Sequence, residues 1–319
     1  MSTRLEVRRL DDADRAAVGS LIAHEQQLAR QIAPSVSHTF TDGEHCAAAL
    51  DVDDDVPAVV ATAAGDVVGV LAFHVDGDYA LTTPIGFAVE PTAEDPTRVL
   101  GAMYAELAPQ LLKRGASRHL VGHPAVGALA DAVADRGFGR LGVIAARPTG
   151  QVPPTPPGVE VRVGTEDDLD AIVELAVVEL EFRQASPMFG AISAPDREAM
   201  RDHIGRMMRE RGDEALVARA DAIDVGLLML ESVAPDDGRL IEYEQPFIGP
   251  TATAPGHRSR GVGTALVGRA VELARERGHD VLGVSFSSAN PLSRPFWLGH
   301  GFVPTGYTAL RAVHPSHLS

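Results

Sequence analysis

The segment Arg258-Ser259-Arg260-Gly261-Val262-Gly263-Thr264 holds the residue types best placed for chemistry, permanent cations beside glycines that open a helix. An extended run, 247–254, leads into it and ends at Pro255. After it, Leu266, Ala270, Leu273 and Ala274 recur at helical spacing, so a helix is expected over 264–275. A helix N-terminus offers backbone N–H groups with no intrahelical partner and about half a positive charge, which suits a phosphate. Gly261 and Gly263 permit a tight turn and let a ligand approach the backbone closely. Arg258 and Arg260 add charge that does not titrate. The pattern therefore predicts a pyrophosphate loop. A dinucleotide fingerprint would need a glycine where Leu266 stands, and a Walker-type loop would need a lysine, whereas Lys113 is the only lysine in the chain.

The elements around the loop sharpen the reading. Val281-Leu282-Gly283-Val284-Ser285-Phe286 is an apolar run that predicts a buried strand after the helix. Asn290, then Arg294, Phe296 and Trp297, then Gly301-Phe302 form a second motif. This order of strand, Arg-x-x-Gly-x-Gly loop, helix, strand and Asn…Phe-aromatic…Gly-Phe resembles the GNAT superfamily of acyl-CoA-dependent N-acetyltransferases over residues 240–304.

The resemblance implies a division of labour. Backbone groups of Thr251, Ala252 and Thr253 would pair with the pantetheine chain of acetyl-CoA as an added strand. One of their N–H groups would polarise the thioester carbonyl. Residues Arg258, Ser259, Arg260, Gly261, Val262, Gly263 and Thr264 would hold the pyrophosphate, and Asn290, Arg294 and Trp297 would line the far side of the cofactor. The acceptor amine must lose a proton before it attacks. Family members often use a strand glutamate for this, and Glu242 and Glu244, on one strand face, are the candidates. The family's usual acid for the leaving thiolate is a tyrosine where this chain has Trp297, whose indole is a very poor acid. His300, Tyr243, Tyr307 or solvent would have to serve. The acceptor pocket is expected around 181–189.

A chain of 319 residues with 45% hydrophobic and 23% charged residues has the composition of an ordinary globular protein with room for two domains. The net charge of −16 argues against a nucleic-acid partner, which would want a basic face. No apolar run reaches the ~20 residues that span a bilayer, and the N-terminus lacks a signal-peptide core. Cys46 is the sole cysteine, so no intrachain disulfide is possible and a cytoplasmic location is expected. Nearly all of the 28 Lys and Arg residues are arginine, a pattern of high-G+C bacterial coding.

The proline-rich stretch 148–158 divides the chain as an extended, semi-rigid spacer. The two sides carry a diverged repeat. Val7-Arg8 and Asp14 match Val161-Arg162 and Asp168, Val68-Gly69 matches Val225-Gly226, and Gly137-Phe138 matches Gly301-Phe302. On this alignment Arg258 falls on Glu94, Gly261 on Thr97 and Gly263 on Val99, so the first half has lost the loop chemistry. The expected fold is α/β with a mixed sheet, two GNAT-like domains in tandem. They comprise a degenerate domain over 1–147, a linker over 148–158 and an acetyl-CoA domain over 159–319. Such a tandem mimics a dimer, which is compatible with a monomer but does not fix the oligomeric state.

Other signals carry less. Gly283-Val284-Ser285-Phe286-Ser287 lacks the closing glycine of a nucleophile elbow. His314 and His317 lack partners at metal-ligand spacing, and the acidic run 51–55 lacks the glycine and glutamate of a calcium loop. The reading that results is an N-acetyltransferase acting on a small-molecule primary amine. The rivals are a non-catalytic acyl-CoA-binding or scaffolding protein, and an acyltransferase with a longer donor or a thiol-pathway role.

Overall fold

The computed structural model describes residues 4–50, 55–125, 127–188, 190, 194, 196–232, 240 and 245–314. They divide into two compact units, one of 1–144, 237–242 and 304–319, the other of 145–236 and 243–303.

Along the chain the elements are β1 (Leu5–Arg9), α1 (Arg15–Ile32), α2 (Gly43–Ala49), β2 (Ala58–Ala63), β3 (Asp66–Asp76), β4 (Tyr79–Val89), α3 (Pro96–Lys113), β5 (Arg118–Pro124), α4 (Ala128–Asp135) and β6 (Gly139–Pro148). The same succession then repeats as β7 (Glu160–Val163), α5 (Leu169–Gln184), α6 (Arg197–Arg206), β8 (Glu214–Ala220), β9 (Ile223–Glu231), β10 (Phe247–Thr253), α7 (Val262–Glu276), β11 (Val281–Ser287), α8 (Ser293–Gly299) and β12 (Val303–Ala312).

The repeated residues have repeated work. In the first unit Arg8 grips Asp14 through both guanidinium nitrogens, at 2.7 and 2.5 Å, tying β1 to the turn that starts α1. In the second, Arg162 grips Asp168 at 2.6 and 2.8 Å in the same way. Gly69 and Gly226 are also equivalent. A Cβ on Gly69 would lie 2.8 Å from Val99 of α3, and one on Gly226 would lie 2.6 Å from Val262 of α7, so each glycine lets a helix cross its strand closely.

Side chains along the central strands alternate between two helix layers. On β3, Val70 and Ala72 join the core beneath α1 and α2, while Leu71 and Phe73 join the core beneath α3. On β9, Leu227 and Met229 face the core built with α5 and α6, and Gly226 faces α7.

Strand order in the first unit is β1-β2-β3-β4-β5-β12-β6, and in the second β6-β11-β10-β9-β8-β7, with β6 passing from one unit into the other after Ile144. The last strand of the chain therefore completes the first unit, where Tyr307 opposes His123 and Leu310 opposes Leu120 on β5. The units consequently depart from the expected boundaries 1–147 and 159–319. Nor is 148–158 a spacer between them. It lies within the second unit, where Pro156 sits 2.4 Å from the place a Cβ of Gly261 would occupy and the Pro153 carbonyl oxygen 2.9 Å from that of Gly268. No helix among the described residues is long and apolar enough to cross a membrane.

Candidate functional site

Strands β10 and β11 of the second unit are parallel, yet they pair only at Phe247↔Gly283 and Ile248↔Val284 before they part. The parting begins where β10 itself is irregular. Its register with β9 shifts between Ile248 and Thr251, a bulge that contains Pro250, which has no N–H to offer a ladder. Beyond the bulge, β10 stays antiparallel to β9, and the Ala254 N–H donates to the Val225 carbonyl at 2.8 Å. Alternation of such a ladder turns the N–H and C=O of Thr251 and Thr253 away from β9, toward the gap left by β11. Ala252 is the exception among the expected backbone contacts, because the same alternation commits its groups to Leu227.

The gap leads to the predicted loop. Ser259 and Gly261 both take positive φ, +61° and +84°, which folds the chain back into α7. The helix starts at Val262 rather than Thr264, with Gly261 as its N-cap and no side chain bonded there. The Ala265 N–H closes the first turn on the Gly261 carbonyl at 2.9 Å, leaving the N–H groups of Val262, Gly263 and Thr264 without an intrahelical acceptor. Arg258 and Arg260 are exposed. Arg258 lies 5.2 Å above the Phe182 ring and donates through Nε to the Thr253 carbonyl at 3.4 Å. Arg260 is 3.9 Å from Asp221.

The glycines are needed for reasons the sequence did not show. The Cβ direction of Gly261 is filled by Pro156, and that of Gly263 by the Phe296 ring at 2.9 Å. Close packing, as well as the turn, requires glycine there.

The second motif fastens this loop. The Asn290 side chain accepts from the Leu292 and Ser293 N–H groups at 2.9 and 3.2 Å, shaping the turn before α8, and Arg294 is exposed. Trp297 does not line an open wall. It is 5% exposed and packs edge-on to Phe296 and Phe302, with ring centres 4.8 and 5.3 Å apart. His300 Nδ1 faces the Phe296 carbonyl at 2.7 Å and Nε2 faces the Thr264 hydroxyl at 3.0 Å. A carbonyl only accepts, so Nδ1 carries a proton and donates it to Phe296. Of the substitute acids, His300 thus has both nitrogens engaged. Tyr307 belongs to the first unit, beneath Arg140 and against His123. Tyr243 lies outside the described residues, as do Glu242, Glu244 and Phe189.

Two half-buried carboxylates near β10 were not singled out by the sequence. Burial pushes the Glu231 carboxyl above the usual range, against the pull of Arg211 at 3.5 Å. Burial also raises Glu179 on α5, with Arg183 at 3.6 Å. Only the register of β9 against β10 reveals the first, and only the burial of that helix face reveals the second.

The first unit shows the same architecture without the loop. There β4 and β5 pair at Tyr79↔Arg118, Ala80↔His119 and Leu81↔Leu120, after which the Thr82 hydroxyl bridges to the Gly122 N–H at 3.0 Å. The N-terminus of α3 is capped by its own Asp95, which accepts the Arg98 N–H at 2.9 Å, and Pro96 occupies the first turn.

The acetyltransferase (GNAT) family matches residues 177–302, the stretch that contains the gap, the loop and the second motif. Among solved structures, a GCN5-related N-acetyltransferase from Sphaerobacter thermophilus is similar over 99% of this chain and 98% of its own, at 18% identity and a TM-score of 0.60. A tandem GNAT protein from the clavulanic acid biosynthesis pathway is similar over 98% of this chain and 99% of its own, at 16% identity and a TM-score of 0.50. A GNAT-family acetyltransferase from Colwellia psychrerythraea aligns over 97% and 100%, at 10% identity and a TM-score of 0.51. No curated protein is similar enough to the chain to match it. At these identities the likeness shows the fold. The chain carries a GNAT acetyltransferase domain in its C-terminal half and has a tandem GNAT fold throughout. Acyl transfer is the chemistry of that family.

Proposed function

We propose that the protein is an acetyl-CoA-dependent N-acetyltransferase that acetylates a primary amine of a small-molecule acceptor, with its catalytic site in the second unit. One observation carries the reading. The gap that opens after Ile248 and Val284 leads directly to a helix N-terminus with no side-chain cap, flanked by exposed Arg258 and Arg260. The chemistry of each part fits acetyl-CoA. Thr251 and Thr253 present strand-edge groups suited to the pantetheine amides, and the N–H groups of Val262, Gly263 and Thr264 suit a pyrophosphate. Bound so, donor and amine meet by direct attack in a ternary complex, which is chiefly a matter of positioning.

The base is a strand-borne glutamate in this reading, with Glu242 and Glu244 the candidates drawn from the sequence. A small-molecule partner, no nucleic acid or membrane, a monomeric state and a cytoplasmic location complete the proposal. The monomeric state rests on the tandem's likeness to a dimer, and the rest on the charge of −16, the absence of a long apolar run and the single cysteine.

The test is a screen of primary amines with acetyl-CoA, read as release of free thiol. Acetylation of at least one amine, with acetyl-CoA raising the melting temperature, is expected. The buried Trp297, where the family places its acid, favours a second reading as a non-catalytic acyl-CoA-binding protein. Tight acetyl-CoA binding with no amine acetylated would establish that reading instead.

A further inference from the structure

The face of the sheet that carries the end of β9 and the start of β10 holds polar groups that the loop chemistry does not use. Glu231 is the last residue of β9 and stands opposite Phe247, so both side chains share a face. Gln245, in the bend just before β10, shares it as well, because its side chain and the Phe247 ring border the same Cβ position of Gly283. It is the face of Leu227 and Met229, which meets α5, and α5 ends in the segment expected to border the acceptor. The Glu231 carboxylate folds over the bulge, with Oε1 2.2 Å from the place a Cβ of Gly249 would occupy, just ahead of Thr251. Glycine at 249 is what lets a carboxylate rest against the strand where the gap begins.

Gln245 is 5% exposed, and its Nε2 has no hydrogen-bond partner. The same nitrogen lies 2.7 Å from the Cβ position of Gly283 on β11, beside the Phe247 ring. A buried amide nitrogen without an acceptor is uncommon, and a ligand oxygen is one way to satisfy it. A carboxylate and an idle amide donor therefore flank one aromatic side chain at the last paired positions of β10 and β11, next to where the strands part.

We infer that Glu231 and Gln245 form the acceptor subsite. Glu231 receives the ammonium and takes its proton, and Gln245 donates to an oxygen that the acceptor carries within a few bonds of its nitrogen. The acceptor class is then small amines bearing a nearby hydroxyl or carbonyl oxygen rather than plain alkylamines. This rests on the acetyltransferase reading above. The Glu231 carboxylate removes a proton from R–NH₃⁺. The amine nitrogen attacks the acetyl carbonyl carbon, and a C–N bond forms as the C–S bond breaks. The nitrogen, still carrying two hydrogens after attack, gives up the second proton through solvent to the thiolate that leaves with the electron pair, which yields the neutral amide and free thiol, and Glu231 returns its proton to water. The charged groups facing Glu231 are Arg211 and Asp213, on the segment before β8. Burial dominates them and raises the carboxyl, which brings it nearer the operating range of a base.

The experiment uses the full chain with acetyl-CoA. The probes are ethanolamine and serine amide on one side, ethylamine and propylamine on the other, assayed from about pH 6 to about pH 9, the range in which a general base operates. E231Q is expected to lose at least about a hundredfold in kcat/KM, to keep acetyl-CoA binding and melting behaviour, and to recover rate as pH rises. The acidic limb of the wild-type profile should vanish with it. Q245L is expected to raise KM for the oxygen-bearing amines at least about fivefold, with kcat and the plain amines little changed. An active wild type whose E231Q variant stays within about threefold, while E242Q or E244Q loses the activity, overturns the assignment alone. A wild type that binds acetyl-CoA and acetylates no amine overturns the functional reading and this one with it.

Discussion

Asp168 shows what a single residue contributes on either side of a duplication. The Arg162 guanidinium, with the Thr165 backbone N–H, holds its carboxyl well below the usual range, and Asp14 with Arg8 repeats the arrangement. A carboxyl depressed in the folded state adds stability above its unfolded value of about 3.9 and loses it as pH falls through the folded value. Asp168→Asn should therefore cost about 1–2 kcal/mol in urea unfolding at neutral pH, the partly exposed arginine keeping the figure modest. The penalty should shrink steadily below about pH 4. A penalty that stays constant across the acid range would mean that shape rather than charge is at work. At this scale the sequence was only partly legible. It marked Arg162, Asp168, Gly261 and Gly263 as a pattern, but Pro156 over Gly261 and Phe296 over Gly263 are contacts between residues distant in sequence, which no local spacing encodes.

The helices α3 and α7 occupy equivalent places in their units and differ at their N-termini. α7 begins at a left-handed glycine with its first N–H groups uncapped, whereas α3 begins with Asp95 bonded to its own backbone. Asp95→Ala should cost about 1 kcal/mol in thermal or chemical unfolding, as loss of an N-cap usually does. It should create no second acetyl-CoA site, because Glu94 and Pro96 remain. A new site in that variant would show that Asp95 alone silences the first unit. The loss of the loop in the first half was visible in residue types, and so were the strands and helices around the second motif. The opening between β10 and β11 was implied only by the family resemblance, because in this chain it depends on a bulge at Gly249-Pro250 and on where pairing stops, which is a matter of register. Glu231 escaped notice for the same reason. It reads as the end of an ordinary strand until its partner Phe247 is known.

Over the whole molecule, the repeat was legible and its closure was not. Matched residues such as Gly69 and Gly226 announced a duplicated domain, but nothing in them indicated that β12 would pair with β5. Short-range patterns define elements, whereas the choice of which strand completes which sheet is made by pairing between distant segments. The duplicated architecture with unlike loops leads to one claim above the others. On the function proposed above, each chain is expected to bind a single acyl-CoA, at the α7 end of the gap. Isothermal titration of the full chain with acetyl-CoA, beside the Gly263→Asp variant, tests it most directly. The expected result is one site per chain in the wild type and none in the variant, whose added carboxylate repels the pyrophosphate and whose side chain meets Phe296. Two sites per chain, or undiminished binding by Gly263→Asp, would contradict it.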